Sequence, residues 1–414
     1  MIPHHSSSMT SSKGAVMMFQ INTERLVSRI KSLGAIGFEK GKGTTRVAYS
    51  PAFFEGRDYV ETLMRQAGLQ TKIDPVGNLI GFLPGKRAER IAIGSHIDTV
   101  PGGGMYDGTY GVLSGLEVLQ TLVESGYEND YTLEIIAFNE EEGNAVGGTF
   151  GSKAFAGVSQ ETSAIEKCSE YGITEEDIEA SREDPAHYKA YLEWHIEQGG
   201  LLENEDLQLG IVDGIVAITR FMVTVNGKAN HAGSTPMKLR DDALEKAAKV
   251  ISAAYDVSRE TDKSMTCTIG YVQVQPGAVN VIPGQVSFPI ELRSMDTGNI
   301  RTAVEKLKAL FDDGSVSITG FLWQDETRLN PELTNCIEAC CRKNGFSYRR
   351  MPSGAGHDAI NMAPFTPSAM LFIPSINGIS HSIEEYSRDI DLENGCRVLM
   401  DVVLTLDGRK ENED

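Results

Sequence analysis

A chain of 414 residues is long enough for two domains, each with its own core. Its 41% hydrophobic and 23% charged residues are ordinary for a globular protein, and no apolar stretch approaches the length of a membrane span. The net charge of −20 repels phosphates, so nucleic acid and anionic lipid are excluded as nonspecific partners, although a local cationic pocket can still hold a small anion.

The opening residues, MIPHHSSSMTSSKGAVMMFQ, lack a continuous apolar core of signal-peptide length. They read as a disordered leader or cloning remnant over 1–20, which removes His4 and His5 from any metal argument. From Ile21 onward, helices and strands alternate. GRDYVETLMRQAGL has apolar residues at helical spacing, and NLIGFLPG and RIAIGSH read as short buried strands. GVLSGLEVLQTLVESG is a helix closed by Gly126, and YTLEIIAFNEEEG is a further strand. Such alternation predicts a mostly parallel sheet with helices on both faces, where ligands gather beyond the carboxyl ends of the strands.

The pattern changes near Val216. AITRFMVTVNG alternates as a half-exposed strand, and DDALEKAAKVISAAYDVSRE is an amphipathic helix. Two strands follow, MTCTIGYVQVQPG and QVSFPIELRSMD, then the helix NIRTAVEKLKALFDDG and the strand SVSITGFLW. The order β-α-β-β-α-β is that of a ferredoxin-like unit with one sheet face covered. After Leu329 the α/β pattern returns, with CIEACCRKNG helical and SAMLFIPS strand-like. The expected fold class is therefore α/β: a mostly parallel-sheet domain over 21–215 and 330–414, with a ferredoxin-like α+β domain inserted over 216–329. The six cysteines (Cys168, Cys267, Cys336, Cys340, Cys341 and Cys396) form no Cys-x-x-Cys pair and read as reduced, buried thiols of a cytoplasmic protein.

Four stretches carry candidate chemistry. In GSHIDTVPGGGMYDG, His96 and Asp98 stand two apart on a strand and share a face, as suits a histidine ligand with a carboxylate beside it. That carboxylate is either a co-ligand or the partner that fixes the ring's tautomer. Asp107 leaves a loop whose Gly102–Gly104 permit close backbone approach; taken alone it is an Asx-turn residue. NEEEG ends the strand LEIIAF with three carboxylates that repel one another unless cations compensate them; taken alone it is a solvated acidic turn. WHIEQGGLLE carries His195, Glu197 and Gln198, and SINGISHSIEE carries His381. Singly, each histidine is a structural or exposed residue. In a chain with only eight, three placed beside carboxylates or glycine turns point to a metal site.

Together these motifs resemble the di-zinc aminoacylase and exopeptidase superfamily. Within it they are similar to the branch of N-carbamoyl-L-amino-acid hydrolases, allantoate amidohydrolases and β-ureidopropionases. The resemblance runs from Glu24 to the end and includes LGAIGFEKGKGTTRVAYS, GSHIDTVPGGGMYDGTYGVLSGLEVL, HIEQGGLLE, VNGKANHAGSTPM and GAGHDA. It implies two divalent metal ions per subunit, zinc by default, with manganese, cobalt or nickel also accepted by mixed N/O ligands. By position it implies that His96 and His195 bind one metal, that Asp107 bridges both, and that Glu142 and His381 hold the second. Glu141 would be the general base, with Asp98 orienting His96. HIEQG places a histidine where peptidase relatives carry a carboxylate, which points to the carbamoylase branch. One departure stands out: after Glu-Glu-Gly this chain reads NAVGG, where the branch carries a small residue and then Arg-Phe.

In the inserted domain the resemblance implies that His231, in GKANHAG, reaches the active site of a partner subunit and steadies the oxyanion. The protein would then be a homodimer, with the insertion serving as lid and dimerisation domain. Asn280 and Arg293 would hold the substrate, assisted by Gln198 and the backbone amide of Gly356. Read alone, Asn280 is a turn residue before Pro283 and Arg293 a surface cation; His357 and Asp358 are structural support. The implied activity is hydrolysis of linear C–N bonds in small anionic ureido acids. The reaction would be N-carbamoyl-L-amino acid plus water to L-amino acid, CO2 and NH3, through a metal-bridging hydroxide. Allantoate amidohydrolase is the nearest alternative, then an aminoacylase or dipeptidase. A non-catalytic metal-dependent sensor is a further one, against which Glu141 counts, because a sensor needs no base.

Overall fold

The computed structural model describes residues 19–311 and 314–408. The leader expected over 1–20, with His4 and His5, lies outside the described residues except for Phe19 and Gln20. A nine-stranded sheet organises the first and last parts of the chain. At its centre, Arg87–His96 runs parallel to both Tyr131–Phe138 and Tyr188–Ile196, and Ser368–Ile373 runs parallel to Tyr188–Ile196. Toward the edges Leu79–Leu83, Gln70–Ile73 and Leu209–Ile215 are antiparallel to their inner neighbours. The central strands are buried on both faces, so they read as continuous apolar runs.

Alternate residues of these strands enter two cores. Ile91, Ile93, Leu192 and Trp194 pack with helices Thr23–Ala35, Pro51–Gln66, Thr109–Glu124 and Asp389–Leu406. Ala92, Ile136 and Tyr191 face the other way, toward Phe155 and Met362. Helix Thr109–Glu124 is apolar almost all round because the sheet lies beneath it and two helices flank it. No helix among the described residues is long and apolar enough to cross a membrane.

The chain leaves this sheet after Leu209–Ile215 and returns at Thr327–Arg328, which pairs with the same strand. Between those points a second, wholly antiparallel sheet runs Thr266–Thr268, Gln285–Ser294, Ala217–Asn226, Val316–Gln324. Helices Ala243–Thr261 and Thr297–Leu310 cover one face and close a separate core around Phe221, Phe288, Leu292 and Val304. Asp242 and Asp296 begin these helices by accepting backbone N–H groups of their first turns. One expectation changes. MTCTIGYVQVQPG forms two short strands, Thr266–Thr268 and Gln273–Gln275, on one partner. Thr268 lies opposite Glu291 and Gln273 opposite Ser287, so five steps on one side meet four on the other. The extra residue near Gly270 bulges and interrupts the pairing.

Candidate metal centre

The site forms where the central parallel strands end. His96 closes Arg87–His96, His195 lies near the end of the adjacent Tyr188–Ile196, and Glu140–Glu142 follow Tyr131–Phe138. Asp107 comes from the loop entering Thr109–Glu124, and His381 from the chain beyond Ser368–Ile373. Gly108 lets the Asp107 loop approach: its φ is +60°, and a Cβ there would collide with the His96 ring.

Backbone carbonyls set both buried histidine rings. His96 Nδ1 is 3.1 Å from the Asp98 carbonyl, and His195 Nδ1 is 2.9 Å from that of Ile196. A carbonyl can only accept, so each Nδ1 carries a hydrogen and each Nε2 is the nitrogen turned inward to the site. Asp107 Oδ1 lies 3.5 Å from His96 Nε2 and 3.2 Å from His195 Nε2. Its other oxygen is 3.2 Å from His381 Nε2, which also faces Glu142 Oε2 at 3.6 Å. Two sets of converging donors result, His96–Asp107–His195 and Asp107–Glu142–His381, with ligand atoms in each set within 4.8 Å of one another. Glu141 Oε2 stands 3.7 Å from His96 Nε2.

The donor set fits divalent cations. Asp107, Glu141 and Glu142 converge without a lysine or arginine paired to any of them among the described residues. Glu142 Oε1 is buried with no hydrogen-bond partner. Burial pushes the Glu141 carboxyl well above the carboxylate range, against the pull of His96, and raises Glu142 to about 7. Burial would lower His96, but Glu141 and Asp107 outweigh it and hold the ring well above its ordinary value. His381 rises to about 9, mainly through its bond to Asp107. These carboxylates demand positive charge, which is the condition for a cation site.

The strand stops at His96, so Asp98 is not on it as expected, but its carboxylate still stands beside the ring, 3.6 Å from His96 Nδ1. Its carbonyl orients the His96 ring, while its carboxylate accepts the N–H groups of Glu141 and Glu142 at 3.2 and 3.1 Å. Asp98 thereby fastens the two glutamates. Gln198 donates to Asp107 Oδ2 at 2.8 Å and sits 3.3 Å from His381 Nε2. His357 packs edge-on against His195 at 4.6 Å, and Asp358 lies buried beside it.

Two supporting residues were not singled out from the sequence. Glu385 accepts the N–H groups of Tyr106 and Asp107 and the Ser380 hydroxyl, fixing the loop that carries Asp107. Its signal was the second glutamate of SINGISHSIEE. Arg46, fully buried, donates to the carbonyls of Leu33, Ile36 and Ile97 and ties down the chain leaving the His96 strand. Glu140 is turned from the ligands; its Oε1 accepts the N–H groups of Ala145, Val146 and Gly147 and shapes the NAVGG loop.

Four sequence-predicted residues stand elsewhere in the chain. His231 is exposed on the two-residue strand Asn230–His231, and its Nδ1 accepts from the N–H groups of Gly233 and Ser234. The Asn280 carbonyl accepts from Ala232 N–H at 2.9 Å, beside the two-stranded antiparallel pairing of Asn230–His231 with Val281–Ile282. Neither contacts the ligand cluster among the described residues. Arg293 lies on the uncovered face of the second sheet, where its Nη1 donates to the Gly354 carbonyl. Gly356 is exposed, just ahead of His357.

Two ligand sets sharing one carboxylate, at the carboxyl edge of a doubly covered sheet, define the class: an α/β metallohydrolase. More particularly, the chain belongs to peptidase family M20/M25/M40, which it matches over residues 92–405. It is 33% identical over 404 residues to the N-carbamoyl-L-amino-acid amidohydrolase of Paenarthrobacter aurescens, covering 93% of this chain and 98% of that one. Allantoate amidohydrolase of Escherichia coli (strain K12) is 35% identical over 385 residues, covering 89% and 94%. Among solved structures, a hydantoinase/carbamoylase family amidase from Burkholderia multivorans superposes with a TM-score of 0.86 at 28% identity, covering 95% of this chain and 100% of that one.

Proposed function

We propose that this protein is a metal-dependent amidohydrolase of small ureido acids that converts an N-carbamoyl-L-amino acid and water to the L-amino acid, CO2 and NH3. The observation that carries this reading is the pair of ligand sets meeting at Asp107 with Glu141 beside them. The names of the relatives in both groups support the substrate class, with allantoate as the second reading. His96, Asp107 and His195 would hold one divalent ion, and Asp107, Glu142 and His381 a second, with zinc as the default. Bound there, such ions supply Lewis acidity and make water nucleophilic near neutral pH.

The protein's own groups do the rest. Glu141, kept basic by burial, takes a proton from the attacking water on Oε2 and returns it to the leaving nitrogen. Asp98 holds Glu141 and Glu142 by their backbones so that the two side chains keep separate roles. Arg293 receives the substrate carboxylate, and Asn280, Gln198 and the Gly356 amide line the remainder. The segment 216–329 acts as lid and dimer contact. His231 has both backbone donors on Nδ1, so its Nε2 carries the hydrogen and donates to the oxyanion in the partner subunit's site.

The test is turnover of a panel before and after chelation, read as ammonia release for N-carbamoyl-L-amino acids and allantoate and as free amino acids for dipeptides. Turnover of the ureido acids alone, abolished by chelation and restored by Zn²⁺, Mn²⁺ or Co²⁺ with elemental analysis near two ions per subunit, is the expected result. Full activity in metal-free protein would overturn it.

A further inference from the structure

The Arg293 guanidinium sits in a cavity of about 440 Å³ between the uncovered face of the second sheet and the loop that leads to His357. Val216, Thr266, Thr268, Glu291, Pro352 and Gly354 line it. Glu291 and Arg293 are two apart on Gln285–Ser294 and therefore project from the same face. Arg293 Nε–H donates to Glu291 Oε1 at 2.8 Å, and Nη1 donates to the Gly354 carbonyl at 2.5 Å. Both hydrogens of Nη2 and one of Nη1 remain, so the end of the guanidinium is the part left for a ligand.

Glu291 itself is held from the other side. Arg220, directly across the strand pair, donates through Nε at 3.0 Å to Glu291 Oε2 and through Nη2 to the same oxygen. The three side chains form a row of alternating charge. Exposure falls inward, from 57% for Arg220 to 29% for Arg293 and 16% for Glu291, so the carboxylate is the fixed middle member. Burial works against its charge, but the two arginines hold its carboxyl below the usual range. Left alone, the long Arg293 side chain would sample many rotamers and lose freedom on binding.

We infer that Glu291 is a positioning residue of the carboxylate subsite: it pins the Nε side of Arg293, with the Gly354 carbonyl pinning Nη1, and so presents the guanidinium end to a substrate with one carboxylate. The inference rests on the reading of Arg293 as the substrate's anchor. A second consequence follows from charge. Two arginines and one glutamate leave the row with a single net positive charge, which matches a monoanion.

Steady-state kinetics of the full, metal-loaded protein decide it, with N-carbamoyl-L-alanine and its carboxamide as substrates and ammonia release as the readout. Glu291→Ala is expected to raise KM for the acid about tenfold while leaving kcat within about twofold and the amide unaffected. Glu291→Gln keeps an oxygen for Nε–H but loses the charge, so the acid KM should rise only about threefold; this variant decides the matter if the alanine variant does not fold. An unchanged acid KM in both variants, with Arg293→Ala still raising it, overturns the role of Glu291 and leaves the anchor standing. Equal losses on acid and amide would mark Glu291 as merely structural and also overturn it. If Arg293→Ala alters neither substrate, the anchor reading falls, and the inference with it.

Discussion

The ligand cluster and the His231 strand are held in opposite ways. His96 and His195 hang from neighbouring strands of a sheet covered on both faces, and each ring is fixed by a backbone carbonyl. His231 stands on a two-residue strand in a small two-stranded sheet of its own, in a segment that exposes Met237, Leu239 and Val279. Groups that must share cations are positioned by the core of one chain and need no further event. A group that must meet a reacting substrate from outside can sit on an open surface, because closure or assembly supplies its last constraint.

That contrast breaks first at Glu141. Glu141→Gln should lower kcat by about 10²–10⁴-fold with metal content unchanged, whereas Glu142→Gln should lose a metal ion by elemental analysis. The reverse pattern would mean that the neighbouring glutamates have exchanged roles. Next comes the exposed side of the comparison. His231→Ala should cost about 10²–10³-fold in kcat. Mixing it with inactive Glu141→Gln chains should restore roughly a quarter of native activity, since half the dimers are hybrids with one complete site. No recovery despite proven subunit exchange would place His231 within its own chain's chemistry or outside it altogether.

A smaller effect tests how the cluster is supported. Glu385→Ala removes the acceptor for Tyr106 and Asp107 N–H, and should weaken metal binding about 10–100-fold in a competition titration while the fold survives. Unchanged affinity would show that Gly108 and the helix start suffice to fix Asp107. The smallest effect concerns the large sheet's own buried charge. Burial raises Glu134 to about 7, with Arg90 at 3.2 Å opposing without outweighing it. The folded state then binds a proton that the unfolded chain releases near the ordinary value of 4.5. Stability from this group is present below that value and is lost as pH rises toward 7. Glu134→Gln should therefore gain up to about 3 kcal/mol relative to the native chain between those limits, read as a rising difference in Tm. A constant difference would mean that Arg90 keeps Glu134 ionised throughout.

Much of this molecule was legible in its residues. The apolar runs ending in His96 and in NEEEG had to be strands buried on both faces, and a chain leaving such a strand end opens onto the sheet's carboxyl edge. Periodicity also carried the second sheet and its two helices, because alternation and helical spacing are set by neighbours only a few residues away. It did not carry the bulge near Gly270, whose extra residue is visible only against the partner strand.

The site divides along the same line. Residue type determined that His96, Asp107, Glu142, His195 and His381 could ligate a cation, and Gly102–Gly104 ahead of Asp107 announced a close backbone approach. Only the tertiary structure decided that the two oxygens of Asp107 face different histidines, that Asp98 grips the glutamates' backbone, and that Glu140 turns away to hold its own loop. It also decided that Glu385, reaching back 279 residues to the Tyr106 amide, sets the loop from which Asp107 projects. Local preferences are fixed by a residue and its chain neighbours, whereas ligand geometry depends on contacts between distant segments that exist only once the core has packed.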